Sequence, residues 1–358
     1  MIQRISLWTL LCVFVVLRPV PVLSSDTDNK LVLSAEQQPQ ATSDVLSGDN
    51  GDIILLAADK ANNQKLKLDA ETEAKLKPPE KALPLPFHTI EGYGGGAITP
   101  MAYLVNPGPQ GTVIGLPSAS FTFINARKKN IEAFVVTETL FRRIELGYAF
   151  DRFGMGTLPH DIRKITGVDI DRNEVCLHNF NVRALLIEED SFKLPLPAIT
   201  GGVHFKVNDG IRDIDNKLDG ALGAIGMEQS NGVEFTLTAT KMIPKVFGRP
   251  LFLTSGLRNS SAAWLGFMGF GDDRATTFEA NVVYLPADWL ALAYEFRNNA
   301  DPLDKVPGLI GETDDWHCFH IAWIINKHCT LCGGYGIMGN MANTTENAAF
   351  AVQFKYEF

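Results

Sequence analysis

The sequence predicts an all-β protein: a transmembrane antiparallel up-and-down β-barrel of about 12 strands (range about 12–14), preceded by a disordered N-terminal segment. Three observations predict it. From Phe87 onward, apolar residues recur with period 2, the spacing that gives a strand one apolar and one polar face. The connections between those segments alternate between short and long. The mean hydropathy is +0.02, and no apolar run after residue 25 is long enough for a membrane-spanning helix. A barrel satisfies all three. Alternating strands average out in any hydropathy window, and closure leaves no backbone edge facing lipid.

The chain divides into three parts. Residues 1–25 read as a secretory signal peptide, with Arg4, an apolar run from Ile5 to Leu17, and small residues at Ser24 and Ser25. That run is too short to span a bilayer, and Arg18, Pro19 and Pro21 oppose an uncleaved anchor helix. No Cys follows the expected cleavage site, which argues against a lipid anchor. Residues 26–86 contain no Phe, Trp or Tyr and are rich in Asp, Glu, Lys, Gln, Asn and Ser. Such a segment cannot bury enough apolar area to offset the entropy of ordering it, so a disordered polar linker on the periplasmic side is expected.

Residues 87–358 are the expected outer-membrane barrel. Ile144, Leu146, Tyr148 and Phe150 alternate with Glu145, Gly147, Ala149 and Asp151. Val233, Phe235 and Leu237 alternate with Glu234, Thr236 and Thr238. In the last segment Phe350, Val352, Phe354, Tyr356 and Phe358 share one face, and Ala351, Gln353, Lys355 and Glu357 the other. The apolar face is bulky while the polar face is rich in Gly, Ala, Ser and Thr, which places the bulk toward lipid and the small residues in the lumen. Twelve segments read as strands: 117–126, 131–139, 143–153, 177–188, 196–208, 231–242, 249–259, 275–285, 289–297, 315–325, 329–339 and 348–358. Residues 87–105, with Gly94–Gly95–Gly96 and Pro100, either add a hairpin or tuck in as a plug.

Composition excludes several classes of function. The net charge of −9 leaves no basic footprint for nucleic acid. Five Cys, one of them in the signal segment, are too few for a disulfide scaffold, although Cys318 and Cys332 sit on the polar side of neighbouring strands. His328, Cys329 and Cys332, or His317 and His320, resemble metal motifs, but strand residues three apart point to opposite faces and cannot converge. Asp169, Asp171 and Asn173 begin a calcium-loop pattern that fails at Glu174 and Phe180, and Asp213, Asp215 and Asp219 fail similarly. The Gly92–Gly96 cluster lacks the strand-then-helix context of a phosphate cradle. No outward Ser/His pair stands in register for a barrel hydrolase. No catalytic residue, metal or cofactor is expected.

The lumen then carries the functional expectation. His204, Lys206, Glu234, Glu279, Glu295, Arg297, His320 and Lys355 should point inward as pore-lining residues. Glu145, Asp151, Arg183 and Glu357 share that face. Mixed charges of this kind either line a water-filled channel for small polar solutes or pair with each other and close a structural or adhesive barrel. In the second case the external loops, or a periplasmic partner anchored through residues 26–86, carry the function. Tyr284, Trp289 and Phe358 are the expected membrane-girdle aromatics. The expected partners are outer-membrane lipid and, through the C-terminal strand ending at Phe358, the barrel-assembly machinery.

Four separated runs, GGGAITP at Gly94–Pro100, GFGDDR at Gly269–Arg274, WLALAYEFRNNADPL at Trp289–Leu303 and DDWHCFHIAWIINKHCTL at Asp314–Leu331, resemble the domain-of-unknown-function 3034 family. The resemblance covers about residues 87–358. It implies an outer-membrane barrel and carries over no catalytic residue. The long polar N-terminal segment and the additional Cys depart from the family pattern.

Overall fold

The structure is a computed structural model that describes residues 85–358. The expected signal peptide, and all but the last two residues of the expected linker, lie outside the described residues. Twelve strands form the wall: β1 (Ser118–Ala126), β2 (Lys129–Leu140), β3 (Ile144–Gly154), β4 (Glu174–Ile187), β5 (Ala198–Asp209), β6 (Asn231–Val246), β7 (Arg249–Ala262), β8 (Phe270–Ala287), β9 (Leu290–Arg297), β10 (Trp316–Ile324), β11 (Cys329–Ile337) and β12 (Ala349–Glu357). All neighbours are antiparallel and sequential. β12 closes on β1 from Glu357↔Ser118 to Phe350↔Asn125, so the wall has no long open edge.

The alternation is inverted relative to a water-soluble barrel. On β12, Phe350, Val352 and Phe354 are exposed while Gln353, Lys355 and Glu357 are buried. The same holds for Phe121 against Thr122 on β1, and Leu257 against Arg258 on β7. Apolar side chains facing outward around the whole wall favour a hydrocarbon surround. Among the described residues no helix is long and apolar enough to cross a membrane.

The two ends differ. One carries the connections 141–143, 188–197, 247–248, 288–289 and 325–328, together with the start of β1 and the end of β12. The other carries the 127–128 turn and the longer connections 155–173, 210–230, 263–269, 298–315 and 338–348. The longer connections fold over their mouth of the barrel. α1 (Leu158–Thr166) presents Leu158 and Ile162, four apart on one face, to this cap. It stops at Gly167, whose φ of 77° is the left-handed helix-ending conformation. α2 (Ile211–Lys217) adds Ile211 and Ile214, and the 263–269 connection adds Trp264 and Phe267. Phe267 stacks on Phe153 of β3 at 4.8 Å.

Residues 86–105 join no wall strand. They form a compact plug in the lumen, held by a two-residue ladder between Phe87–His88 and Gly94–Gly95 and by turns such as Ile90 N–H to Ala97 O at 2.9 Å. The wall therefore has twelve strands, not fourteen. Ile90 and Ile98 at the plug's tip pack into the apolar cap. Phe87 and Met101 pack at the short-turn end with Val283, Leu285, Ala291 and Ala322.

Candidate functional site

The lumen and its plug are the candidate site, and it is built outward from Glu91. This carboxylate is fully buried. It lies 2.5 Å from Lys206 Nζ of β5, 2.5 Å from Arg297 Nη1 of β9 and 3.3 Å from Arg258 Nη2 of β7. Tyr93 Oη donates to it at 2.7 Å. The wall adds Glu234, which meets Lys206 at 3.0 Å and Arg258 at 2.5 Å, and Glu279, 2.6 Å from Arg258. Counted by direct contact, the wall supplies three cations (Lys206, Arg258, Arg297) and two carboxylates, and the plug supplies the third carboxylate. Burial opposes ionisation of Glu91, but the charges of Arg258, Arg297 and Lys206 outweigh it and hold its carboxyl well below the usual range.

A second anchor runs the other way, with a wall carboxylate held by plug backbone. Glu295 of β9 accepts hydrogen bonds from the amides of Ala97 (2.6 Å), Ile98 (3.0 Å) and Thr99 (2.7 Å), and from the Thr99 hydroxyl (2.6 Å). Successive amides turned toward one point make an anion-binding nest. Gly96 permits the approach, since a Cβ there would lie 2.3 Å from the Glu295 carboxyl carbon. His320 Nε2 lies 2.5 Å from Glu295 Oε1 on the far side.

The third anchor is nearer the short turns. Glu145 accepts from the amides of Gly94 (3.0 Å) and Val105 (2.7 Å) and pairs with Arg183 at 2.9 Å. Arg183 in turn donates to Gly94 O at 2.8 Å and to Met101 O, and sits over the Tyr93 ring at 5.4 Å. Asn181 donates to Glu91 O at 2.7 Å, Asn281 to Pro100 O at 3.0 Å, and Gln353 to His88 O at 2.8 Å. Lys355 donates to Pro86 O and pairs with Glu357 at 2.7 Å. Gly147 of β3 lets the plug lie against the wall, since its Cβ would stand 1.9 Å from Gly92 O.

Two other buried imidazoles are occupied by hydroxyls and an amide. His204 contacts Asn181 (2.7 Å) and Thr236 (2.9 Å), and His88 contacts Ser120 and Thr137, both at 2.9 Å. Burial first, and the Lys355 charge second, hold the His88 imidazole well below its usual range. His88 beside Ser120 is no hydrolytic pair in its present setting, because all three side chains are buried and its second nitrogen meets a hydroxyl, not a carboxylate.

All eight residues expected to line a pore point inward: His204, Lys206, Glu234, Glu279, Glu295, Arg297, His320 and Lys355. The lumen they face is filled. A void between plug and wall lined by Phe87, Ala97, His320, Cys332 and Gln353 measures about 20 Å³, room for about one water. Sequence reasoning missed Glu91, Tyr93 and Arg258. Arg258 was within reach, since Leu253 and Leu257 fix the parity of β7; Glu91 has no such neighbours. Of the expected girdle, Trp289 and Phe358 are exposed at the short-turn end and Tyr284 is half-buried on the outer face. A further outer set was not foreseen: Tyr148 bonds His178 at 2.9 Å and Tyr294 bonds His317 at 2.8 Å. Cys176, Cys318, Cys329 and Cys332 are all free; Cys318 stands opposite Gly336 and Cys332 opposite Ala322, so the two do not meet. The loop carboxylates Asp169, Asp171 and Asp213 are paired with Arg163, Lys217 and Arg172.

The family described as "Protein of unknown function (DUF3034)" matches residues 86–354. The chain belongs to the DUF3034 family. The match begins where the plug begins, so the DUF3034 region comprises plug and wall together. No curated protein sequence matches the chain. Solved structures similar to this DUF3034 protein include the KdgM porin, with 8% identity, TM-score 0.40, and coverage of 67% of this chain and 99% of that one. The COG4313 outer membrane channel from Pseudomonas putida F1 has 10% identity, TM-score 0.35, and coverage of 73% and 100%. The Salmonella typhi outer membrane phospholipase OMPLA has 9% identity, TM-score 0.33, and coverage of 70% and 94%.

Proposed function

We propose that this protein is a bacterial outer-membrane barrel whose resting state is closed by its own N-terminal plug. Its short turns face the periplasm and its longer connections face outward. The observation that carries this reading is the Glu91 cluster. The wall leaves one buried cation uncompensated unless the plug's carboxylate is present, and a buried unpaired charge is expensive. Glu295 and Glu145 add plug amides as partners for two more wall carboxylates. The plug thus completes the wall electrostatically, and in the closed state no solute passes. The loop cap at the opposite mouth supports the same reading.

A porin-like role is the second reading, and a specific feature favours it. Between its two apolar ends the plug is bound to the wall by polar groups and ion pairs, which water can replace, and it joins no wall strand. Passage of small polar solutes then follows only on displacement of residues 86–105 toward the short-turn end. Flux into vesicles tests the pair. The full chain reconstituted in liposomes should not admit small sugars or amino acids, whereas a chain lacking residues 86–105 should. Rapid uptake by the full chain contradicts the closed resting state.

A further inference from the structure

The short-turn end carries apolar side chains that its backbone is poorly suited to hold. Arg143 N–H bonds Leu140 O at 2.9 Å across a two-residue turn, and both central residues have positive φ: Phe141 at 52° and Arg142 at 57°. Such turns are ordinarily filled by Asn-Gly or Gly-Gly, because a bulky side chain at positive φ is strained. Phe247, at 51°, takes the first position of the Phe247–Gly248 turn, and Phe192, at 58°, sits in the 188–197 connection. Phe247 is 92% exposed and Phe192 80%. Trp289 and Ile325 are exposed in the two remaining short connections.

Three of these connections also carry an exposed cation, Arg142, Lys193 and Lys327, and exposed Lys245 at the end of β6 stands two residues before Phe247. Among the described residues none of the four is in an ion pair, whereas the acidic groups Glu188, Asp190 and Asp288 of the same rim are taken by Arg143, Lys241 and Arg249. Apolar tips next to unpaired cations are the pattern that inserts below headgroups while binding their negative charge.

We infer that the short-turn rim binds anionic phospholipid of the adjoining leaflet, the Phe141, Phe192 and Phe247 tips entering the interface while Arg142, Lys193, Lys245 and Lys327 hold the headgroups. This rests on the membrane-spanning reading above. The source of the anion is lipid, because the cations are spread round a rim and converge on no pocket that a free phosphate would fill. The strain at Phe141 and Phe247 is retained because Asn or Gly there would leave nothing to insert.

The test is spin-label lipid association with the full chain in phosphatidylcholine bilayers, comparing labelled phosphatidylglycerol with labelled phosphatidylcholine. A severalfold preference for phosphatidylglycerol is expected, falling with salt as exposed charge pairs are screened. R142Q/K193Q/K245Q/K327Q should abolish it, while neutralising Arg127, Lys128, Lys164 and Arg212 at the opposite end should leave it. F141N and F247N should raise the melting temperature in detergent yet reduce lipid retention. Equal association of both lipids with the wild type, or an unchanged preference in the quadruple variant, overturns the inference. Failure of the chain to insert at all is a different result, and contradicts the membrane-spanning reading instead.

Discussion

Glu91 and Arg297 meet at 2.5 Å inside the wall, although they lie 206 residues apart and one comes from the plug and the other from the loop-side end of β9. Replacing Glu91 with Gln leaves Lys206, Arg258 and Arg297 facing only Glu234 and Glu279. Loss of one partner of a buried pair costs about 3–5 kcal/mol. Glu91→Gln should therefore lower thermal stability sharply in detergent, and Glu91→Gln combined with Lys206→Met should recover part of the loss. A single variant as stable as wild type would contradict the charge balance.

Gly147→Ala should unseat the plug and spare the wall. The new Cβ meets the backbone oxygen of Gly92, which cannot rotate away, while β3 itself accepts Ala without strain. The expected outcome is a barrel that still folds, with residues 86–105 newly open to protease. Gly333→Ala, whose Cβ meets nothing within 4 Å, is the control and should change neither property.

Acid should loosen the plug. His88 is seated neutral between Ser120 and Thr137, and its depressed pKa means that the released segment binds a proton where the seated one does not. Seating is therefore complete above about pH 6.5, the ordinary imidazole value, and weakens as pH falls below it. Glu91, also depressed, adds loss of the same sign below about pH 4.3. Labelling of a cysteine introduced into the plug, followed as a function of pH, should show both steps, and His88→Asn should diminish the upper one.

The outer face should reject charge by depth. Phe121→Arg and Phe319→Arg fall near the middles of β1 and β10 on the apolar face, where lipid penalises Arg by about 2–4 kcal/mol. Refolding into bilayers measures the cost. An equal cost in water-soluble conditions, with no dependence on lipid, would contradict a membrane surround.

Much of the wall was legible because lipid imposes a period-2 pattern for the full length of each strand. Phe350 to Phe358 and Val233 to Leu237 show it without interruption, and the strands lie within a few residues of their expected bounds. The largest difference is β8, which starts at Phe270 instead of 275, because Phe270 pairs with Ala262 past a register irregularity and Gly271 with Met227, where the period-2 alternation no longer holds. The plug was legible only as a break in pattern. A carboxylate buried in a closed network and one facing a water-filled pore look alike in sequence, so Glu295 and Arg297 pointed inward without saying toward what. Glu91, in a glycine-rich run with no periodicity, gains its meaning only from Lys206, Arg258 and Arg297 around it. The GGGAITP run makes physical sense once Gly96 is seen against Glu295.

Single-channel recording in a planar bilayer tests the central claim most directly. The full chain should insert and remain electrically silent across the ordinary voltage range, while Gly147→Ala and the chain lacking residues 86–105 should give discrete steps. Steady conductance from the wild-type chain, equal to that of the plug-less one, would contradict a barrel closed by its own N-terminal segment.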